Sequence, residues 1–148
     1  MPIKLSEDPD DLAYARFLVD HNYKSAIIRQ RRILLRARMA QSSGLSAFIL
    51  RRIARAYLHW QRPEKAKAYI YKALREDPCS ALCAFECASM MATVPGARID
   101  ALQICEAALR ARQLGAFHID SIVVFSMNYI ELMSNLHSKL TIEESAEA

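Results

Sequence analysis

The chain has 148 residues, of which 53% are hydrophobic and 24% are charged, and its formal net charge is +4. This length and composition indicate one globular domain, and they exclude a disordered chain or a second sizeable core. Three glycines and five prolines are too few for a fold built from many turns. We therefore expect long helices joined by short loops.

The ends and the cysteines give no sign of export. The amino-terminal segment MPIKLSEDPDD lacks an apolar run behind a positive start, so we expect no secretory signal. No uninterrupted apolar stretch reaches the ~18 residues that a membrane span needs. The four cysteines do not have the spacing of a disulfide framework. These features predict a cytoplasmic protein.

Apolar residues recur every three or four positions along nearly the whole chain, which is the period of an α-helix. We therefore predict an all-α fold without strands. The first two helices are predicted over 9–21 and 23–41, and the segment SSGLS links them to the rest. Further helices are predicted over 47–60, from after QRPE to about 76, over 80–92 and over 97–114, with a long apolar seventh over about 118–140.

The segment LRRIARAYLHWQRPEKAKAYIYKALREDP carries the most specific pattern in the chain. Its small and large residues alternate at fixed positions: Ala54, Tyr57, Ala66, Ile70 and Ala73, followed by Pro78. This pattern resembles the tetratricopeptide repeat (TPR), a pair of antiparallel helices over about 34 residues. The resemblance implies antiparallel helix pairs stacked as a short TPR-like superhelix with a C-terminal capping helix.

The resemblance extends, more weakly, over most of a single domain that spans residues 1–148. It implies a degenerate repeat over about 7–40, a clear repeat over 47–80 and a weaker one over 81–115. A capping helix over about 118–140 and a frayed tail over 141–148 would complete the domain. Tyr14 and Gln30 do not fit the pattern of the degenerate repeat.

In TPR proteins the concave face, lined by the first helix of each pair, usually binds the partner. The resemblance therefore implies a groove here, and we expect it to hold an amphipathic helix of a partner protein. The groove residues expected from it are Phe48, Arg51, Arg55, Leu58, His59, Leu82, Phe85, Ser89, Phe117, Val124 and Met127. Arg51 and Arg55 stand one turn apart and could clamp carboxylates of the bound partner. The alternative is that the terminal helix folds back and fills the groove itself.

No motif in the sequence favours catalysis or metal binding. The histidines are scattered, and neither a phosphate-binding glycine loop nor a glycine-bracketed serine is present. Cys79, Cys83 and Cys87 form a stripe on one helix, but a structural zinc site takes four ligands. Cys87 also occupies a core position of the repeat. We therefore expect no enzyme activity, no cofactor and no metal.

Arginines are concentrated between residues 29 and 55. Clustered arginine suits phosphate contacts, so a nucleic-acid-binding helical repeat is the main alternative to a protein-binding one. No aromatic platform is interleaved with this band in the sequence, which argues against single-strand recognition. The simplest interpretation of the band is a solvated helix face.

Small TPR proteins without an enzyme domain resemble the cytoplasmic chaperones of bacterial type III secretion. In that group a short repeat array holds a helical segment of a needle or translocator subunit and prevents its premature polymerisation. The resemblance implies a hetero-oligomer with such a subunit. A further alternative is a scaffold subunit of a larger assembly, which would dock through its last helix and expose Val123, Phe125 and Met133.

Overall fold

A computed structural model of the chain describes residues 8–113, 132–136 and 138. Its helices follow in the order α1 (Pro9–Val19), α2 (Tyr23–Met39), α3 (Ser43–His59), α4 (Pro63–Glu76), α5 (Ala81–Thr93) and α6 (Arg98–Gln113). Residues 132–136 are also helical, and no described residue lies in a strand. The predicted all-α class is therefore confirmed. Most of the predicted seventh helix lies outside the described residues.

One type of turn joins each of the first three helices to the next. The middle residue of each turn has left-handed backbone geometry, with φ of 57° at His21, 55° at Gln41 and 58° at Gln61. The following residue donates its N–H to a carbonyl in the last helical turn: Asn22 to Phe17, Ser42 to Ala37, and Arg62 to Tyr57. This Schellman arrangement satisfies carbonyls that the helix end leaves open. Turns this short return each helix antiparallel to the one before it.

Helix α3 begins earlier than the sequence analysis predicted, so the interpretation of SSGLS as a link is wrong. The Ser42 hydroxyl accepts a hydrogen bond from the Leu45 N–H at 3.3 Å, and the helix starts at Ser43. A serine in this position satisfies one of the unpaired donors of the first turn and favours helix initiation. Ser80 caps α5 in the same way, through the Cys83 N–H at 3.1 Å.

The helices form two layers. Helix α3 packs along α2 and α4 and also touches α5. In the first layer, the Arg52 guanidinium on α3 bonds to Asp11 on α1. In the second layer, Arg31 on α2 donates to the Tyr69 hydroxyl on α4 at 3.1 Å, and α4 and α6 line a hollow of about 350 Å³. Helices α1, α3 and α5 therefore share one layer, and α2, α4 and α6 share the other.

Small or medium buried residues recur at matching positions in the pairs α3–α4 and α5–α6. They match as Ala54 with Ala88, Ala66 with Ala101, and Ile70 with Cys105, and each is 0% exposed. Alanine at a crossing point lets two helix backbones approach closely, so that the larger neighbours interlock. This regularity supports stacking of similar helix pairs, in which each pair buries the apolar face of the next.

Tyr14, which does not fit the repeat pattern, has a specific bonding role. Its side chain is buried, and its hydroxyl donates to the Arg52 carbonyl oxygen at 2.9 Å. Burial raises the pKa of Tyr14 to about 12, although the charges of Arg55 and Arg52 oppose the shift. The phenol therefore stays protonated at neutral pH and continues to link α1 to α3.

Gln30, the other residue that does not fit the pattern, lies inside the core. Its position on α2 corresponds to Ile70 on α4, and its side chain is 1% exposed. Neither its Oε1 nor its Nε2 has a hydrogen-bond partner among the described residues. A buried amide that makes no hydrogen bond retains its desolvation penalty, so Gln30 destabilises the folded state.

We expect Gln30→Met to increase the free energy of unfolding by about 1–2 kcal/mol, because a side chain of similar volume replaces two unpaired polar atoms. Urea unfolding followed by circular dichroism measures the change. Gln103→Met, on the exposed side of α6, is the matched control and should leave stability unchanged. A loss of stability in Gln30→Met would mean that the native amide is satisfied after all.

Candidate partner-binding groove

A groove of about 540 Å³ lies between α3 and α5, in the first layer. It is lined by Arg55, Leu58, His59, Phe85, Glu86, Ser89, Met90 and Thr93. An adjoining hollow of about 510 Å³ shares Leu58 and Thr93 with it and is completed by Gln61, Pro63 and Pro95. The two hollows adjoin at Leu58 and Thr93 and are here together termed the α3–α5 groove. Each volume lies within the range typical of binding pockets.

The structure brings together part of the predicted groove. The predicted residues that line it are Arg55, Leu58, His59, Phe85 and Ser89. Phe48 and Leu82, which are 38% and 47% exposed, lie nearer the amino-terminal ends of α3 and α5. Phe117, Val124 and Met127 lie outside the described residues. Met90 and Thr93 also line the groove and were not predicted, although they follow Glu86 and Ser89 by four positions, which is one helical turn.

Arg51 does not offer the clamp that the sequence analysis expected. Its Nε donates to Glu86 Oε2 at 2.7 Å, and only 7% of its side chain is exposed. Burial alone would lower the pKa of Arg51, but the neighbouring Cys83 and Glu86 outweigh that effect and raise it. Arg51 therefore stays charged, and its charge is compensated within the protein rather than by a ligand.

Arg55 is the cation that remains available in the groove. It is exposed, and no described carboxylate forms a salt bridge with it. The walls beside it are largely apolar, since Leu58, Phe85 and Met90 contribute to the lining. A surface of this kind can receive an apolar helix face and can pair with an acidic residue at its edge.

The C-terminal segment that the structure describes packs against the core. Leu136 is 2% exposed, and Leu132 and Met133 are half-buried against core residues. This position of Met133 argues against the exposed docking surface of the scaffold alternative. None of the described residues 132–136 lines the α3–α5 groove. Val123 and Phe125 lie outside the described residues, as does most of the segment that would fill the groove in the self-filling alternative.

Of the three cysteines spaced four residues apart, two are core residues of the α4–α5 interface. Cys83 and Cys87 are 0% exposed, and their thiols donate to the carbonyls of Ala73 and Ile70 at 3.6 and 3.7 Å. Cys79 is exposed. Within the described part of the chain, no three side chains of histidine, cysteine, aspartate or glutamate are grouped to hold a metal ion.

Aromatic rings lie directly against the arginine-rich helix α2. Arg31 Nη2 donates to the hydroxyls of Tyr57 and Tyr69, each at 3.1 Å. The Tyr57 ring stacks on Tyr69 and on Trp60, with centroid distances of 5.5 and 6.1 Å. Aromatic residues that are not interleaved with the arginine band in the sequence therefore lie beside it in the fold. The rings come from α3, the turn after it and α4, which are distant from α2 in sequence.

The chain matches none of the protein-family models, curated proteins or solved structures with which it was compared. The TPR resemblance therefore rests on the residues of the segment 50–78 and its weaker copies. Within residues 8–113, 132–136 and 138, no helix is long and apolar enough to cross a membrane.

Proposed function

We propose that this protein is a non-catalytic, TPR-like binding module that holds an amphipathic helix of a partner protein in the α3–α5 groove. The observation that carries the proposal is a groove with largely apolar walls that lies between α3 and α5, together with the hollow that adjoins it. Laying the apolar face of a helix into such a groove is a recurrent mode of recognition. The apolar lining supplies affinity, because its water is released on binding.

The charges of the groove define the partner further. The Arg51–Glu86 pair is internally balanced, whereas Arg55 has no described carboxylate partner. A complementary helix therefore carries apolar residues at helical spacing, with an aspartate or glutamate beside them to meet Arg55. Such a charge-assisted hydrogen bond fixes the register of the helix more than it adds affinity.

We further propose a chaperone role in the cytoplasm, which this mode of binding would serve. A subunit that polymerises has exposed apolar helix faces, and covering one of them blocks self-association. Needle or translocator subunits of type III secretion are partners of this chemical kind, and the product would be a hetero-oligomer. A purified candidate subunit that polymerises at its normal rate in the presence of the protein would contradict the chaperone role.

We expect Ser89→Arg to abolish partner binding, because a long charged side chain placed in the groove occupies the space of the partner helix. The matched control is Ala68→Arg, which adds the same side chain to an exposed position of α4 outside the groove. Tagged protein is used to capture partners from a native cell extract at physiological salt, and mass spectrometry identifies them. Wild type and Ala68→Arg should retain one small helical protein at equal stoichiometry.

Ser89→Arg should recover at least about tenfold less of this protein, equivalent to about 1.4 kcal/mol of binding free energy. Equal recovery by Ser89→Arg and Ala68→Arg would place the binding surface outside the α3–α5 groove. Absence of any stoichiometric protein in the wild-type sample would refute the proposed function itself. Urea unfolding of both variants establishes that the arginine has not disrupted the fold.

A further inference from the structure

Helix α2 carries an uncompensated positive charge. It contains Lys24 and the five arginines 29, 31, 32, 36 and 38, and it has no acidic residue, whereas the whole chain has a net charge of +4. Only one of these arginines forms a salt bridge with a described residue, namely Arg29 with Asp10 at 2.6 Å. The remaining cations produce a positive field on the second layer, opposite the layer of the α3–α5 groove.

Cations from α4 and from the turn before it extend this field over the aromatic rings. Lys72 Nζ lies 4.5 Å from the centroid of the Tyr69 ring, and Lys65 Nζ lies 5.6 Å from that of Tyr57. The Arg62 guanidinium lies 5.1 Å from the Trp60 ring. The rings hold these cations through cation–π attraction, which leaves their charge available to an anion. Positive groups therefore lie beside the partly exposed rings of Trp60 and Tyr69, whereas the Tyr57 ring that stacks on both is buried.

A hollow of about 310 Å³ lies at one end of this row, between α2 and α4. It is lined by Arg31, Leu34, Leu35, Arg38, Leu50, Tyr69 and Lys72, with no acidic residue. At the other end, the Tyr23 ring lies 6.4 Å from Trp60. The row follows α2 from Tyr23 to Arg38, about 22 Å at the rise of an α-helix. We term it the cation–aromatic surface: Arg31, Arg38, Trp60, Lys65, Tyr69 and Lys72.

We propose that the cation–aromatic surface binds single-stranded nucleic acid. A single strand presents both phosphates and flat bases, and this surface offers cations and partly exposed rings side by side. Tyr69 and Trp60 are partly exposed. The flexible Lys72 side chain can turn towards a phosphate and leave the Tyr69 ring to stack with a base. An acidic protein segment would use the cations but would leave the rings without a role.

This mode of binding predicts a defined dependence on salt. Three phosphate contacts, for example with Arg31, Arg38 and Lys72, correspond to a slope of about −2 for log affinity against log salt. Affinity should therefore fall about 20-fold between about 50 mM and about 200 mM salt. A ligand bound mainly through apolar contacts would show almost no such dependence.

The probe is an oligouridylate of about 12 nucleotides, within the length range of single-strand sites. Trp60 is the only tryptophan in the chain and lies in the surface, so its fluorescence reports binding without a label. We expect saturable quenching by the oligonucleotide. Arg38→Gln/Lys72→Gln should weaken binding at least tenfold and reduce the salt slope by about 1.4, because two phosphate contacts are lost.

The matched control is Arg16→Gln/Arg110→Gln, which removes the same two charges from exposed positions on α1 and α6. This control should bind the oligonucleotide as tightly as the wild type to within about threefold, because the long-range field alone is screened. Tyr69→Leu should weaken binding about fivefold or more with an unchanged salt slope, since it removes a stacking platform and no charge. Circular dichroism of each variant verifies that it is folded.

Four results would overturn the proposal: no quenching by the oligonucleotide, equal loss of affinity in the two charge variants, an unaffected Tyr69→Leu, or equally strong competition by poly-glutamate. The last result would assign the surface to acidic proteins. Because Ser89 lies on α5, which contributes no residue to the cation–aromatic surface, Ser89→Arg should bind the oligonucleotide like the wild type. Failure of the nucleic-acid proposal can therefore be distinguished from failure of the proposed groove function.

Discussion

Glu86→Leu is expected to lower the free energy of unfolding by about 2–4 kcal/mol, because it leaves the Arg51 guanidinium buried without its counter-ion. The Arg51 side chain is 7% exposed, and its Nε lies 2.7 Å from Glu86 Oε2. The Glu86 side chain is 32% exposed, so the charge that Arg51→Leu leaves unpaired is better hydrated. Arg51→Leu should therefore lower the free energy of unfolding by less than Glu86→Leu does. Urea unfolding of both single variants and of the double variant measures these differences.

The double variant Arg51→Leu/Glu86→Leu should recover most of the loss, because neither unpaired charge remains. Lys67→Met is the control for an ordinary surface pair, since the Lys67–Asp100 distance is 3.5 Å and both side chains are about a third exposed. Lys67→Met should lower the free energy of unfolding by less than about 1 kcal/mol. A Glu86→Leu effect no larger than that of Lys67→Met would show that Arg51 does not depend on Glu86.

Ile70→Ala is expected to lower the free energy of unfolding by about 3–4 kcal/mol, because it removes buried methylene groups and leaves a cavity. Ile70 is 0% exposed, and its carbonyl oxygen accepts the Cys87 thiol from the neighbouring pair. The residue therefore lies where one helix pair stacks on the next. The cavity should weaken the stacking as well as the α3–α4 pair.

Ile99→Ala is the matched control, because Ile99 is 61% exposed on α6. It should change the free energy of unfolding by less than about 0.5 kcal/mol. Ile70→Val should lower the free energy of unfolding by about 1 kcal/mol, between the effects of Ile70→Ala and Ile99→Ala, since it removes a single methyl group. If Ile70→Ala and Ile99→Ala had the same effect, α4 would not be packed between α3 and α5 as described.

The helices were predictable because their apolar period is long and regular. Apart from the start of α3, the predicted helix ends from 9 to 113 fall within about two residues of the observed ones. The start of α3 was not recognised, because Ser42 and Ser43 resemble a linker until the hydroxyl of Ser42 is seen to cap the helix. The left-handed backbone at His21, Gln41 and Gln61 was not predicted either, because glycine is the residue that usually indicates this conformation.

The groove was partly predictable from helical spacing together with the TPR resemblance. Arg55 and Ser89 stand one repeat apart, so the face that contains one also contains the other. The burial of Arg51 could not be predicted, because it depends on Glu86 arriving from α5 at hydrogen-bond distance. Spacing gives the direction of a side chain along its own helix, but it does not identify the partner that the fold supplies.

The cation–aromatic surface was missed for the same reason. Arg31 is more than twenty positions from Tyr57 and still further from Tyr69, so no local window of sequence shows them together. They meet because regular turns place α2 beside α4. A search along the chain could not find the surface, because its rings come from α3, the turn after α3 and α4, which are distant from α2 in sequence.

The central claim is that the α3–α5 groove holds a helix of another protein, and site-specific photocrosslinking tests it most directly. A benzophenone-bearing phenylalanine analogue is placed at Ser89, in the groove, and separately at Ala68, outside it. Each protein is irradiated in native cell extract, and its adducts are identified by mass spectrometry. We predict a crosslink from position 89, but not from position 68, to one small helical protein. A crosslink from position 89 only to this chain's own residues 114–148, or equal labelling from both positions, would contradict the claim.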